Sequence, residues 1–139
     1  MESCPRVLVV EDDEDLRKIL CEQLIRADYT VQGVCDGIEA MMELEDKQWE
    51  VVLTDYRMPR LNGLDLLVVV TACWPNTSVV MISGEPPDTA KRALRQGAFA
   101  WVRKPYDPAH LIQTVRAAIQ RALELRAQTE RGLSRSKGP

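Results

Sequence analysis

The chain has 139 residues, of which 45% are hydrophobic and 28% charged, and its formal net charge is −3. This length and composition are typical of one globular domain with a sizeable core. The acidic balance excludes a general attraction to nucleic acid or to anionic membranes. No apolar run approaches the roughly 18 residues that a membrane span needs, and the first residues lack the regions of a signal peptide. We therefore expect a cytoplasmic protein whose present segment binds neither membrane nor nucleic acid directly.

The four cysteines are widely separated and form no Cys-x-x-Cys pair, and the chain has one histidine, His110. This pattern argues against a zinc site and against a disulfide framework. It predicts buried free thiols in a reducing compartment for all four: Cys4, Cys21, Cys35 and Cys73.

Short apolar segments alternate with helical patterns five times along the chain. The predicted strands cover residues 6–10, 30–34, 51–55, 79–83 and 100–104. The predicted helices cover residues 14–27, 38–46, 64–73 and 89–96, with a fifth from residue 108. This alternation predicts an α/β fold in which a doubly wound, five-stranded parallel sheet is flanked by five helices.

Local signals support several helix boundaries. Either Asp13 or Glu14 is placed to cap the first helix, and Asp107 with Pro108 provides a cap and a first-turn proline for the fifth. The Pro86-Pro87 pair is expected to stiffen the loop before the fourth helix and to shorten that helix at its start.

Polar residues stand where the predicted strands end. Glu11 and Asp12 follow the first strand, Asp55 ends the third, Ser83 ends the fourth and Lys104 ends the fifth. Open parallel sheets bind ligands at the carboxyl ends of their strands. Carboxylates gathered there repel one another, and hard oxygen ligands select Mg²⁺ or Mn²⁺. The sequence therefore predicts a divalent cation site at this edge.

The same residues suit phosphoryl chemistry. A cation held by carboxylates neutralises an incoming phosphate and aligns it for attack by Asp55. Lys104 supplies a compact positive charge, and the hydroxyl of Ser83 is a hydrogen-bond donor for phosphoryl oxygens. Each residue alone is weak evidence for a site, since Glu11 and Asp12 could simply cap a helix. Together, at equivalent strand ends, they predict a functional site.

The combination resembles the receiver domain of two-component response regulators. The matching motifs are Val-Val-Glu11-Asp12, Leu53-Thr54-Asp55-Tyr56-Arg57-Met58-Pro59 with Asn62-Gly63, Ile82-Ser83-Gly84 and Lys104-Pro105. The resemblance covers about residues 6–122 and implies a flavodoxin-like sheet with strand order 2-1-3-4-5. It divides the chain into a receiver domain, residues 1–122, and a fifth-helix extension with a basic tail, residues 123–139, which is a linker or a terminus. The glycines and serines from Gly132 onward predict that this end is frayed.

The resemblance also implies the function. A histidine kinase would transfer a phosphoryl group to Asp55, with Asp12, Asp55 and the backbone carbonyl of Arg57 on Mg²⁺ and Glu11 binding through water. Ser83 would then move toward the phosphate. The signal would pass through the face formed by the fourth helix, fifth strand and fifth helix. The domain would phosphorylate and slowly dephosphorylate itself without being a turnover enzyme.

The switch position departs from the family pattern. Trp101 stands where the switch aromatic is usually Tyr or Phe, and overfilling a core pocket costs about 1–3 kcal/mol. Either Trp101 turns inward or it is a fixed core or surface residue. Arg57 and Glu85 flank the phosphate mouth, and we hypothesise that they pair there and slow hydrolysis.

The third helix carries the continuous apolar run Leu66-Leu67-Val68-Val69-Val70, which cannot all face inward. An exposed cluster would indicate a partner or dimer contact, whereas scattered exposed residues would not.

Two alternative functions and the output stay open. A pseudo-receiver would keep the fold and bind partners without phosphate. An aspartate-nucleophile phosphatase usually needs a second acid two residues after the nucleophile, where this chain has Arg57. The expected partners are a histidine kinase, an effector domain or output protein, and a second copy through the fifth helix.

Overall fold

A computed structural model describes residues 4–136. Strands and helices alternate throughout, with the bounds β1 (Arg6–Val10), α1 (Glu14–Arg26), β2 (Thr30–Val34), α2 (Gly37–Asp46), β3 (Val51–Asp55), α3 (Gly63–Cys73), β4 (Ser78–Ser83), α4 (Pro87–Arg95), β5 (Ala100–Arg103) and α5 (Pro108–Ser136). Among the described residues, no helix is both long and apolar enough to cross a membrane.

The five strands form one parallel sheet in the order β2-β1-β3-β4-β5. Every residue of β3, the central strand, is buried. Asp55 pairs with Ile82 of β4, so the last residue of β3 lies beside the end of its neighbour. The prediction of a flavodoxin-like, doubly wound sheet is confirmed.

Two apolar cores lie on opposite faces of the sheet. On one face, Leu8 and Val52 pack with side chains of α2, α3 and α4. On the other, Val9 and Leu53 pack with side chains of α1 and α5. Because side chains alternate along a strand, each inner strand contributes to both cores. Both faces of the sheet are therefore covered, which leaves its carboxyl edge as the place for a polar site.

Three helices begin at that edge with a side-chain cap. Asp13, Asp36 and Asn62 each accept a hydrogen bond from the backbone N–H three residues further on, at distances of 2.8–3.0 Å. Such caps satisfy N–H groups that a helix start leaves unpaired. Of the two residues that the sequence offered for α1, the structure uses Asp13.

Two sequence-based expectations about the helices are wrong. Pro87 does not shorten α4 but occupies its first position, where the missing N–H costs nothing and the fixed φ suits a helix. The polar stretch around Gly132 does not fray, because α5 continues to Ser136. Gly138 and Pro139 lie outside the described residues.

The extended α5 contacts the domain beyond its apolar stripe. Arg126 Nη2 lies 3.4 Å from Glu50 Oε1, and Asn76 Nδ2 donates to Thr129 Oγ1 at 3.3 Å. All four cysteines have free thiols, but the expectation that they are buried is wrong, since Cys4 and Cys73 are exposed and Cys21 and Cys35 are only partly buried.

Candidate functional site

Three carboxylates meet where β1 and β3 end. The oxygens of Glu11, Asp12 and Asp55 lie within 4.8 Å of one another. Glu11 is 2% exposed and Asp55 8%, whereas Asp12 is exposed. The site therefore has two buried acids beneath one acid that faces solvent.

Lys104 brings a positive charge to the buried acids. Its Nζ lies 3.3 Å from Asp55 Oδ2 and 3.6 Å from Glu11 Oε2. Lys104 directly follows β5, and its peptide bond with Pro105 is cis. The strand ends thus bring together the acidic pair, Asp55 and Lys104.

Glu11 shows that the single positive charge of Lys104 does not compensate the negative charge of the three carboxylates. Burial, and next the negative charge of Asp55, raise the pKa of Glu11 to about 7, although Lys104 opposes this shift. Its Oε2 is buried and accepts no hydrogen bond from the described residues. Hard oxygen donors with excess negative charge fit Mg²⁺ or Mn²⁺.

The backbone after β3 holds the Asp55 carboxylate in place. The N–H of Tyr56 donates to Asp55 Oδ1 at 2.7 Å, and the N–H of Gly63 donates to the carbonyl of Tyr56 at 2.7 Å. A Cβ at position 63 would lie 2.3 Å from the carbonyl oxygen of Asp55. Glycine is therefore required where α3 begins against the end of β3.

Arg57 and Glu85 form the contact that the sequence suggested. Arg57 Nε donates to Glu85 Oε1, and Nη2 lies 3.4 Å from Oε2. The Arg57 side chain is 77% exposed. Hydrogen bonding to Glu85 raises the pKa of Arg57. Arg57 also lines an open pocket with Asp12 and Asn62, so the pair lies beside the acidic cluster.

Ser83 and Trp101 lie on the adjoining strands. Ser83 is buried, and its Oγ accepts the N–H of Glu85 at 3.2 Å. Trp101 is half-buried, and its ring centroid lies 6.5 Å from that of Tyr56. This ring contact could not be predicted from the sequence, because the two residues belong to separate elements.

The sequence also gave no sign of an ion pair between Arg60 and Asp36. Arg60 Nη2 donates to Asp36 Oδ2 at 2.5 Å across 24 positions of sequence. Asp36 stands just before the predicted second helix, and nothing in the local sequence indicates a partner for it.

The apolar run of α3 divides between core and surface. Leu66, Leu67 and Val70 are buried, and Val68 is 49% exposed. Val69 is only partly buried. Two neighbouring valines therefore face outward, which is a small patch.

Residues 7–116 match the response regulator receiver domain. The chain belongs to this family. It is therefore a receiver domain of two-component systems, which is a signalling domain. The match spans the first four helices, all five strands and the first part of α5.

Curated relatives are longer than this receiver domain. The C4-dicarboxylate transport transcriptional regulatory protein DctD of Rhizobium meliloti is 31% identical over 119 residues, which cover 85% of this chain and 26% of DctD. The response regulator protein PilR of Pseudomonas aeruginosa is 34% identical over 116 residues, covering 83% and 26%. The chain thus spans about a quarter of the length of these two proteins.

This chain also resembles a solved receiver domain over nearly the whole length of that domain. The crystal structure of the receiver domain of NtrX from Brucella abortus has a TM-score of 0.79 and 31% identity, covering 82% of this chain and 98% of that one. This chain and that receiver domain therefore share a fold over nearly the whole of the latter.

Proposed function

We propose that this receiver domain accepts a phosphoryl group on Asp55 from a histidine kinase, in a reaction that requires Mg²⁺ or Mn²⁺. The observation that carries the proposal is the placement of Asp55. It is buried, lies within 4.8 Å of two other carboxylates and contacts the ammonium group of Lys104. An aspartate with this environment has charge partners for both a metal ion and a phosphoryl group.

The cation site consists of Asp12, Asp55 and the backbone carbonyl of Arg57, with Glu11 binding through water. The excess negative charge supports this assignment, as does the buried Glu11 Oε2, which accepts no hydrogen bond from the described residues. When bound there, Mg²⁺ would supply positive charge to the phosphoryl oxygens during in-line displacement.

The transfer step needs an aspartate nucleophile and no general base. An Asp55 carboxylate oxygen forms a bond to phosphorus while the bond between phosphorus and the donor's histidine nitrogen breaks. The nitrogen keeps the electron pair and leaves as neutral imidazole, because the other ring nitrogen carries a proton. Lys104 offers its charge to the phosphoryl oxygens, and the Ser83 hydroxyl donates a hydrogen bond to them.

The signal then passes through the face formed by α4, β5 and α5. To reach the phosphoryl group, Ser83 gives up its contact with the N–H of Glu85, which lies in the loop before α4. Trp101 on β5 turns toward the position that Ser83 leaves. Its contact with Tyr56 links this movement to the residue that follows Asp55.

We further propose that residues 1–122 form the receiver domain and that residues 123–139 are a linker or terminus. The greater length of DctD and PilR supports an effector domain or output protein as the downstream partner. The long α5 offers a surface for a homodimer. The histidine kinase would act on this domain in the cytoplasm.

Beryllofluoride, which imitates the phosphoryl group of an acyl phosphate, tests the proposal. With Mg²⁺ present, we expect amide NMR shifts around Asp55, Ser83 and Lys104 and along the α4–β5–α5 face. Asp55→Asn removes the bonding oxygen and should abolish these shifts. A folded wild-type domain that binds neither Mg²⁺ nor beryllofluoride would contradict the proposal and favour a pseudo-receiver.

A further inference from the structure

Arg60 and Asp36 join the loop that follows Asp55 to the start of α2. Arg60 Nη2 donates to Asp36 Oδ2 at 2.5 Å. Asp36 is 1% exposed, and its Oδ1 caps α2 by accepting the N–H of Glu39 at 2.9 Å. A buried carboxylate is costly unless it is paired and hydrogen-bonded. The ion pair therefore joins the Arg60 side chain, which is otherwise 69% exposed, to the buried cap of α2.

The backbone of this loop needs such a support. Arg60 has a φ of +69°, a left-handed conformation that residues with a Cβ adopt at a cost. The next residue, Leu61, packs against Gly37, where an added Cβ would lie 2.8 Å from Leu61 Cδ2. Two adjacent loop residues are thus held against the first turn of α2, one by charge and one by close packing.

The other end of the loop is attached to the phosphoacceptor. Tyr56 donates its N–H to Asp55 Oδ1 and its carbonyl accepts the N–H of Gly63, both at 2.7 Å. Arg57 lies between this anchor and Arg60. If the Arg60 side chain were released, the backbone around Arg57 would keep its support on the Asp55 side, and beyond it only the apolar packing of Met58 and Leu61 would remain.

We propose that Arg60 is a positioning residue for the cation site. By pairing with Asp36 it fixes the loop so that the carbonyl of Arg57 and the carboxylate of Asp55 face one metal ion. This inference rests on the proposed function, because it assigns Arg60 a part in the affinity of that site for Mg²⁺. Arg60 contacts neither the metal nor the phosphoryl group in this role.

An NMR titration with Mg²⁺ measures the effect directly on the full chain. We expect Arg60→Ala to raise the Kd for Mg²⁺ about tenfold, the low end of the effect of residues that orient metal ligands. Phosphorylation by acetyl phosphate should then need more Mg²⁺ but reach the wild-type rate at saturation, because only binding is weakened. Arg60→Lys should restore part of the affinity.

Three further variants separate positioning from general damage. Asp36→Asn keeps an oxygen that can cap α2 but removes the charge, so it should weaken Mg²⁺ binding as Arg60→Ala does. The double variant should be no weaker than either single one. Arg60→Gly removes the pair but suits the left-handed backbone, so it should stay folded and still bind weakly. Lys18→Ala breaks an exposed 3.3 Å pair with Glu14 and should change nothing.

Thermal unfolding in chelator confirms that each variant is folded before its Kd is compared. An unchanged Kd in Arg60→Ala and Arg60→Gly, with a wild type that binds Mg²⁺, would overturn this inference alone. A weakened Arg60→Ala beside a normal Asp36→Asn would also overturn it, since the effect would not pass through the pair. A wild type that binds no Mg²⁺ would contradict the proposed function as well.

Discussion

Glu11 is a buried carboxylate whose ionised form destabilises the metal-free fold. Burial and the nearby Asp55 raise its pKa from an ordinary 4.5 to about 7. The folded state therefore binds this proton more tightly than the unfolded state. The stability that Glu11 contributes is complete below pH 4.5 and is lost as the pH rises to about 7.

Glu11→Gln should remove this pH dependence. In chelator at pH 8 we expect it to raise the free energy of unfolding by about 1–3 kcal/mol, and near pH 4.5 we expect no gain. Denaturant unfolding at both values measures the effect. Asp12→Asn is the matched control, since the exposed Asp12 should show a smaller gain. A Glu11→Gln domain less stable than wild type at pH 8 would contradict the electrostatic account.

Removing the metal should destabilise the wild type more than it destabilises Glu11→Gln. Mg²⁺ at 100 times its Kd should stabilise the wild type by about 2.7 kcal/mol, because only the folded state offers the site. Glu11→Gln should gain less, since it has lost one carboxylate of the cluster. Melting curves with and without chelator would show the difference, and equal gains would exclude a part for Glu11 in cation binding.

The Arg57–Glu85 pair is the residue-scale feature that bears on the lifetime of the phosphorylated state. Because it lies beside the acidic cluster, we expect it to restrict the approach of water to the acyl phosphate. Glu85→Ala should raise the autodephosphorylation rate severalfold. It should change the stability by about 0–1 kcal/mol, because the Arg57 partner is largely exposed although Glu85 is not. The decay of the phosphorylated protein after donor removal measures this rate. An unchanged rate would show that the pair does not restrict the approach of water to the acyl phosphate.

At the scale of elements, α3 separates core from surface within five residues. Leu67→Ala should cost about 2–5 kcal/mol of stability, because Leu67 is fully buried. Val68→Ala, at the next residue along the helix, should change the free energy of unfolding by no more than about 0.5 kcal/mol. Chemical denaturation of both variants tests the division.

A loss of self-association or kinase binding in Val68→Lys would assign the exposed valines to a partner contact.

Element types and most boundaries could be predicted because their causes are local. Asp107 and Pro108 predicted the start of α5, and the short apolar run ending at Asp55 predicted β3. The continuation of α5 past Gly132 could not be predicted in this way. Gly132 weakens a helix locally, whereas the contact of Arg126 with Glu50 that holds the preceding turn is long-range. The start of α4 at Pro87 depended on whether proline ended the loop or began the helix, and the sequence permits both.

At the scale of the molecule, parallel topology brings the site together. Residues at or just after the ends of β1, β3 and β5 meet, because these parallel strands all end at the same edge of the sheet. That geometry is why Glu11, Asp55 and Lys104 could be predicted as neighbours without any coordinates. The Arg60–Asp36 pair and the Tyr56–Trp101 ring contact could not, since both depend on how loops and side chains pack across elements.

The central claim is that this edge of the sheet is a phosphoacceptor site. The most direct measurement is the intact mass of the protein after incubation with acetyl phosphate and Mg²⁺, followed by peptide mapping. We expect the added mass of one phosphoryl group on Asp55, which should be absent when chelator is present during the incubation and absent in Asp55→Asn. An unlabelled folded domain at saturating Mg²⁺, or a label on another residue, would contradict it.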